Sequence, residues 1–213
     1  MKLKDLEALR MIQEEYNLPF ALKNEYIQSY VKEAYKFYIN NDVKKAYTFY
    51  AIDIIIRYLI KLGSSWPRER TVLYIAALYI ADRHPFSYPN PTSRYEYAKR
   101  FQIKSSSINW YVNRITEELK FLKLFDSHSR PYFIDSSGLI YVITASISQT
   151  QVNEYFIRKV ALDEPVEENI IADDVIAQLV DKLRLIPSIF RRELRRLVMS
   201  LINEVLQPLS DPL

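Results

Sequence analysis

Glycine stands at only two positions, 63 and 138, in a chain of 213 residues, and cysteine stands at none. A glycine-rich phosphate loop, the dinucleotide fingerprint and the nucleophile elbow each need glycines at fixed spacing. None of them can be built here. Without cysteine there is no disulfide framework, zinc ribbon, iron–sulfur cluster or thiol nucleophile. His84 and His128 are the only histidines, so a zinc site would have to draw on carboxylates. No catalytic set converges, and the chain reads as a non-enzyme without cofactor or metal.

Hydrophobic residues make up 49% of the chain and charged ones 26%, the balance of a protein that folds around its own core. The N-terminal residues carry scattered charges and no apolar stretch, unlike a signal peptide. The most apolar segments, about 46–60 and 71–81, are broken by Asp53, Arg57 and Asp82 and fall short of a membrane span. The expectation is a cytoplasmic protein without membrane contact. Net charge is +3, unevenly spread. Residues 61–130 carry 12 basic and 6 acidic side chains, and residues 131–213 carry 8 and 12. A basic middle followed by an acidic end points to a nucleic-acid surface in the middle.

Hydrophobic periodicity predicts helices throughout. An N-terminal helix over 1–22 carries Leu3, Leu6, Leu9 and Ile12. Helices follow at 23–39, 43–62, 68–83, 93–102 and about 106–124. The turn Asn40-Asn41-Asp42 is expected to stop one helix and cap the next, Gly63 to end the third helix, and Pro67 to open the fourth. Ala76, Ala77 and Ala81 allow close helix approach. PYFID and LIYVIT, around Asp135-Ser136-Ser137-Gly138, read as a β-hairpin over 131–144. After an acidic stretch from Asp163 to Asp174 come amphipathic helices at 173–186 and 188–207, separated by Pro187. Asp173-Asp174 and Glu167-Glu168 read as a helix N-terminus and a solvated linker. His84 reads as a cation at a helix end.

Helix, short turn, helix and hairpin is the order of a winged helix-turn-helix, whose second helix enters the major groove by its N-terminal residues. The candidate DNA-binding residues are Arg94, Lys99, Arg100, Lys104, Ser105, Ser106, Ser107, Asn109, Asn113, Arg114, Lys120 and Arg130. Lysine and arginine would neutralise phosphates. Asn109 and Asn113 suit adenine, and Arg114 suits guanine. The three serines read first as a helix cap and second as phosphate ligands. Trp110 reads as a packing residue.

The stretch TVLYIAALYIADR followed by SRYEYAKRFQIKSSSINWYVNRITEELKFL resembles a cyclin-type repeat of the transcription initiation factor IIB family, archaeal factor B included. Tyr74, Ala76, Ala77, Tyr79, Ala81 and Arg83 fall on that family's Ala-rich helix. Glu96, Ala98, Ile103, Ser105, Ile108, Arg114 and Leu119 fall on its helix-turn-helix. The resemblance covers about half of the chain and one repeat. Gln102-Ile103-Lys104 replaces the usual glycine of the turn, and the cysteine-rich ribbon has no counterpart. The resemblance implies a five-helix cyclin box, DNA contact and the transcription machinery as partner.

The expected fold is mainly α, with a five-helix cyclin-like or winged helix-turn-helix unit, a small β-hairpin and a C-terminal helical hairpin. The domains are expected at 1–22, 23–146 and 147–213. The expected function is binding of double-stranded DNA in transcription regulation. The alternative is a cyclin-like adaptor that binds protein without DNA contact. The apolar stripes of the last two helices predict a homodimer through 173–207.

Overall fold

The computed structural model describes residues 24–63, 65–162 and 167–206. The fold is mainly α with one small antiparallel hairpin. The chain divides into two compact units, one of residues up to 83 and 90–120, the other of 84–89 and 121 onward. The predicted helix over 1–22 lies outside the described residues.

The first unit holds five helices: α1 (Glu25–Asn40), α2 (Lys45–Leu62), α3 (Arg70–Asp82), α4 (Arg94–Arg100) and α5 (Ser105–Glu118). Every residue of α3 from Val72 to Ala81 is buried. A helix apolar all round has to be surrounded, and α1, α2 and α5 pack against this one. The alanines supply the close approach that the composition predicts. Buried tyrosines find partners: the Tyr38 hydroxyl donates to the Tyr74 carbonyl at 2.8 Å, and the Tyr30 hydroxyl to the Pro67 carbonyl at 2.6 Å. Arg70 ties α3 to α1 through Glu33 and lies 4.1 Å over the Tyr30 ring.

Gly63 ends α2 at φ +64°. The turn after α1 does stop that helix, but the cap of α2 is Lys44, without a side-chain bond. Pro67 lies ahead of α3, whose cap is Glu69.

The second unit corrects the hairpin. The strands are β1 (Leu122–Phe125) and β2 (Pro131–Ile134), paired from Leu122 opposite Ile134 to Phe125 opposite Pro131. The predicted helix to 124 stops at Glu118 because Lys120 turns left-handed, at φ +55°. That corner frees Leu122–Phe125 to pair. LIYVIT is not a strand: it begins α6 (Leu139–Leu162). Its β-branched residues suit a strand, yet Ile140, Thr144, Ser148 and Val152 are buried at helical spacing. The Thr144 hydroxyl donates to the Ile140 carbonyl at 2.7 Å and that of Ser148 to the Thr144 carbonyl at 2.9 Å. Bonding back one turn satisfies both groups inside the core. Asp135-Ser136-Ser137-Gly138 is the entry to α6, where a Cβ on Gly138 would lie 3.0 Å from that of Asp135.

The last elements are α7 (Glu168–Ala177), continued by a π-helical turn over Gln178–Lys182, and α8 (Arg191–Leu206). α7 thus starts before the predicted 173, and Ile171 and Ala172 are buried in it rather than in a linker. Asp173 and Asp174 stand mid-helix instead of at an N-terminus. Asp173 pairs with Arg195, and Asp174 accepts from the Tyr155 hydroxyl. That bond, with burial, pushes the Tyr155 pKa up to about 12.

α7 and α8 pack on each other and on α6. Val175, Ile176, Leu179, Val180, Leu194, Val198 and Leu201 are all buried. Leu197 and Val205 are half-buried and Leu183 is exposed, so most of the two stripes behind the expected homodimer, though not Leu183, is covered within one chain. The sequence-based boundary at 146 falls inside α6, while the compact units part at 120, because the hairpin and α6 share a core with α7 and α8.

His84 caps the short turn Pro85–Ser87 by accepting the Phe86 N–H on Nδ1. An accepting nitrogen carries no proton, and burial pushes the His84 pKa below its ordinary value. It is a neutral cap rather than the expected cation. Tyr88 anchors this segment in the second unit against the rings of Tyr132 and Phe190, at 5.7 and 5.4 Å.

Candidate nucleic-acid interface

The site is built from α4, the turn after it, and α5. Ser93 caps α4 in a reciprocal box: its hydroxyl accepts the Glu96 N–H, and the Glu96 carboxylate accepts the Ser93 N–H at 2.6 Å. This fixes the start of a helix only seven residues long. At its end Gln102 takes the left-handed conformation, φ +54°. The Ile103 N–H reaches back to the Ala98 carbonyl at 3.0 Å and that of Gln102 to Lys99 at 3.3 Å. These are the two bonds of a Schellman turn, which normally uses glycine. Gln102 thus makes the corner that the sequence pattern assigns to a missing glycine.

α5 does not begin on a serine cap. The cap position is Lys104, which makes no side-chain bond. Ser105, Ser106 and Ser107 occupy the first turn, where the Ser107 N–H donates to the Lys104 carbonyl at 3.1 Å and the first N–H groups of a helix lie ahead of its i→i−4 ladder. That end bears the positive side of the helix dipole and suits an anion.

Ile108, Tyr111, Val112, Ile115 and Thr116 face the core. Ser106, Trp110, Arg114 and Glu117 are exposed on the opposite side. Trp110 keeps 54% of its surface accessible, so it is not the packing residue expected of it. Its ring stands perpendicular to that of Tyr111, at 85° with centroids 4.8 Å apart, and the Arg114 guanidinium lies 5.5 Å from its centroid. Arg114 also hydrogen-bonds the Tyr58 hydroxyl, although burial is the larger influence there and pushes that tyrosine's pKa up. A cleft of about 410 Å³ opens beside Trp110, lined by Arg68, Glu69, Ser106, Ser107 and Tyr111. Burial pushes the Tyr111 pKa up too, and a hydrogen bond joins its hydroxyl to the Glu69 backbone.

The other candidates divide. Lys104, Ser105, Ser106 and Ser107 stand together at the N-terminal end of α5, with Asn113 and Arg114 further along it. Lys99 and Arg100 are exposed at the end of α4. Arg100 donates to the Asn41 carbonyl at 3.1 Å. Arg94 and Asn109 are spent on each other: the guanidinium donates to Asn109 Oδ1 and links α4 to α5. Lys120 lies past the far end of α5, about 24 Å along the axis from Lys104. Arg130 belongs to the second unit, in the loop of the hairpin, where its N–H and that of His128 donate to Asp126 Oδ1 at 2.9 and 2.8 Å. Arg68, Glu69 and exposed Trp110 are what the sequence reading missed. Arg68 follows Pro67, two residues ahead of the Glu69 cap of α3, a signal that could have placed it near a helix start.

Among the described residues no group of three or more histidines, cysteines and acids could hold a metal, and no helix is long and apolar enough to cross a membrane. No protein-family model, curated protein or solved structure matches this chain.

Proposed function

We propose that the five-helix unit binds double-stranded DNA through α4, its turn and α5, as a regulator or factor in transcription. The observation that carries this reading is the outer face of α5. It joins an open serine-rich helix N-terminus and exposed Lys104 to a stripe of Trp110 and Arg114. Hydroxyls and helix N–H groups suit phosphate oxygens, and side chains further along suit base edges. Lys99 and Arg100 add charge for the backbone. The resemblance to the helix-turn-helix of the initiation factor IIB family points the same way, and so does the five-helix organisation around α3.

A helical adaptor that binds protein is the second reading. It is favoured by Trp110 and by the exposed Phe156, Ile157, Val160 and Leu162 at the end of α6. Mobility shift on random-sequence duplex separates the two. The DNA reading expects retention at about 50 mM salt and steep loss by about 200 mM. Absence of retention at the lower concentration refutes it.

A further inference from the structure

We propose that Trp110 is a base-contacting residue that reads thymine, so that the preferred duplexes of this protein carry thymine at a fixed position. The inference rests on the DNA-binding reading and deepens it. Ser106, Trp110 and Arg114 follow one another at four-residue spacing, all exposed. A duplex approaching the outer face of α5 meets these side chains first. Asn109, the nearest alternative reader, is turned onto Arg94.

The chemistry of the indole selects the base. It offers an apolar body and a single donor, Nε1–H, with no acceptor. In the major groove thymine presents a methyl group beside the O4 acceptor. That pair matches an apolar body beside a donor. Cytosine presents an amino donor and no methyl, and would set donor against donor. Adenine and guanine present acceptors without an apolar group.

The setting of the ring favours an edge contact over insertion between bases. The Arg114 guanidinium lies over one face, and the Tyr111 ring packs perpendicular to the indole. An inserted ring needs both faces free. The same neighbours hold the indole in place, which lowers the ordering cost of a contact.

The test uses the full chain and a pool of randomised duplexes of about 25 base pairs at low salt. Duplexes retained after repeated selection are sequenced. Each thymine of the best one is then replaced singly by uracil, which removes only the 5-methyl group. The expected result is a selected motif with a thymine whose replacement weakens binding about three- to tenfold. Trp110→Ala, which loses the indole N–H donor as well as the apolar body, should bind the thymine duplex more weakly than the wild type binds the uracil duplex, and should not distinguish the two. Trp110→Phe keeps an apolar body and should retain part of the methyl preference. It serves where the alanine variant loses its helical circular dichroism. A motif without thymine, equal binding of thymine and uracil duplexes, or an undiminished preference in Trp110→Ala overturns the proposal while DNA binding stands. Failure to retain any duplex from the pool overturns the DNA-binding reading, and this inference with it.

Discussion

Replacing Ala77 with leucine tests whether α3 is the packed centre of the first unit. Ala77 is 0% exposed, and its neighbours Ile75, Ala76 and Ile80 are equally enclosed. Leucine adds three carbons. In a site with room, their burial would stabilise by about 2 kcal/mol. No room is left at a position closed on every side, so the added atoms must push α2 or α5 outward or take a strained rotamer. Overpacking of this kind costs about 1–3 kcal/mol. For a chain of this size each kcal/mol moves the melting temperature by roughly 2–4 °C, so a fall of about 2–12 °C is expected in a thermal melt followed at 222 nm. Thr71→Leu is the control, because Thr71 is exposed on the same helix. It should leave the melt within about 0.5 kcal/mol of the wild type. An Ala77→Leu melt that matches this control would refute the picture of α3 as an enclosed helix.

His84 makes the second unit sensitive to acid. Its folded pKa is lowered, so its contribution is intact above about pH 6.5 and is lost as pH falls through the lower folded value. His84→Asn keeps a capping acceptor, and the difference between its melting temperature and that of the wild type should shift in favour of the variant between pH 7.5 and 5. Gln102→Gly removes a left-handed side-chain residue from the turn before α5. Relief of that strain outweighs the added freedom of the unfolded chain by about 0.5 kcal/mol, a rise readable in denaturant midpoints. A double-mutant cycle of Arg94→Ala and Asn109→Ala should show a coupling of about 0.5–1.5 kcal/mol in chemical unfolding. Additive losses would mean that the bond does not join the two helices.

The helices of the first unit are legible because apolar spacing survives in each: Ile27, Val31, Ala34 and Tyr38 in α1, or Ile108, Tyr111, Val112 and Ile115 in α5. The hairpin is not, for two physical reasons. Lys120 takes a left-handed corner without the glycine that would mark it, so β1 reads as the tail of a helix. Thr144 and Ser148 satisfy their hydroxyls on their own helix, so a β-branched segment can be buried as α6. Of the candidate site, the succession of α4, its turn and α5 is legible from the spacing around Gln102. The mutual engagement of Arg94 and Asn109 depends on how two helices cross, and the exposure of Trp110 on which face of α5 the core leaves open. Neither is written in local sequence.

The salt dependence of duplex binding by wild type and by a variant with Lys99, Arg100, Lys104 and Arg114 all changed to alanine bears most directly on the proposal that the outer face of α4 and α5 binds DNA. Each phosphate neutralised contributes about −0.9 to the slope of log affinity against log salt. The four cations are exposed, so the variant should keep its helical circular dichroism. If Lys99, Arg100 and Lys104 contact phosphates, its slope should be shallower than the wild type's by about 2 to 3, with binding lost at about 150 mM salt. An equal slope and an equal affinity in the two proteins would contradict the account.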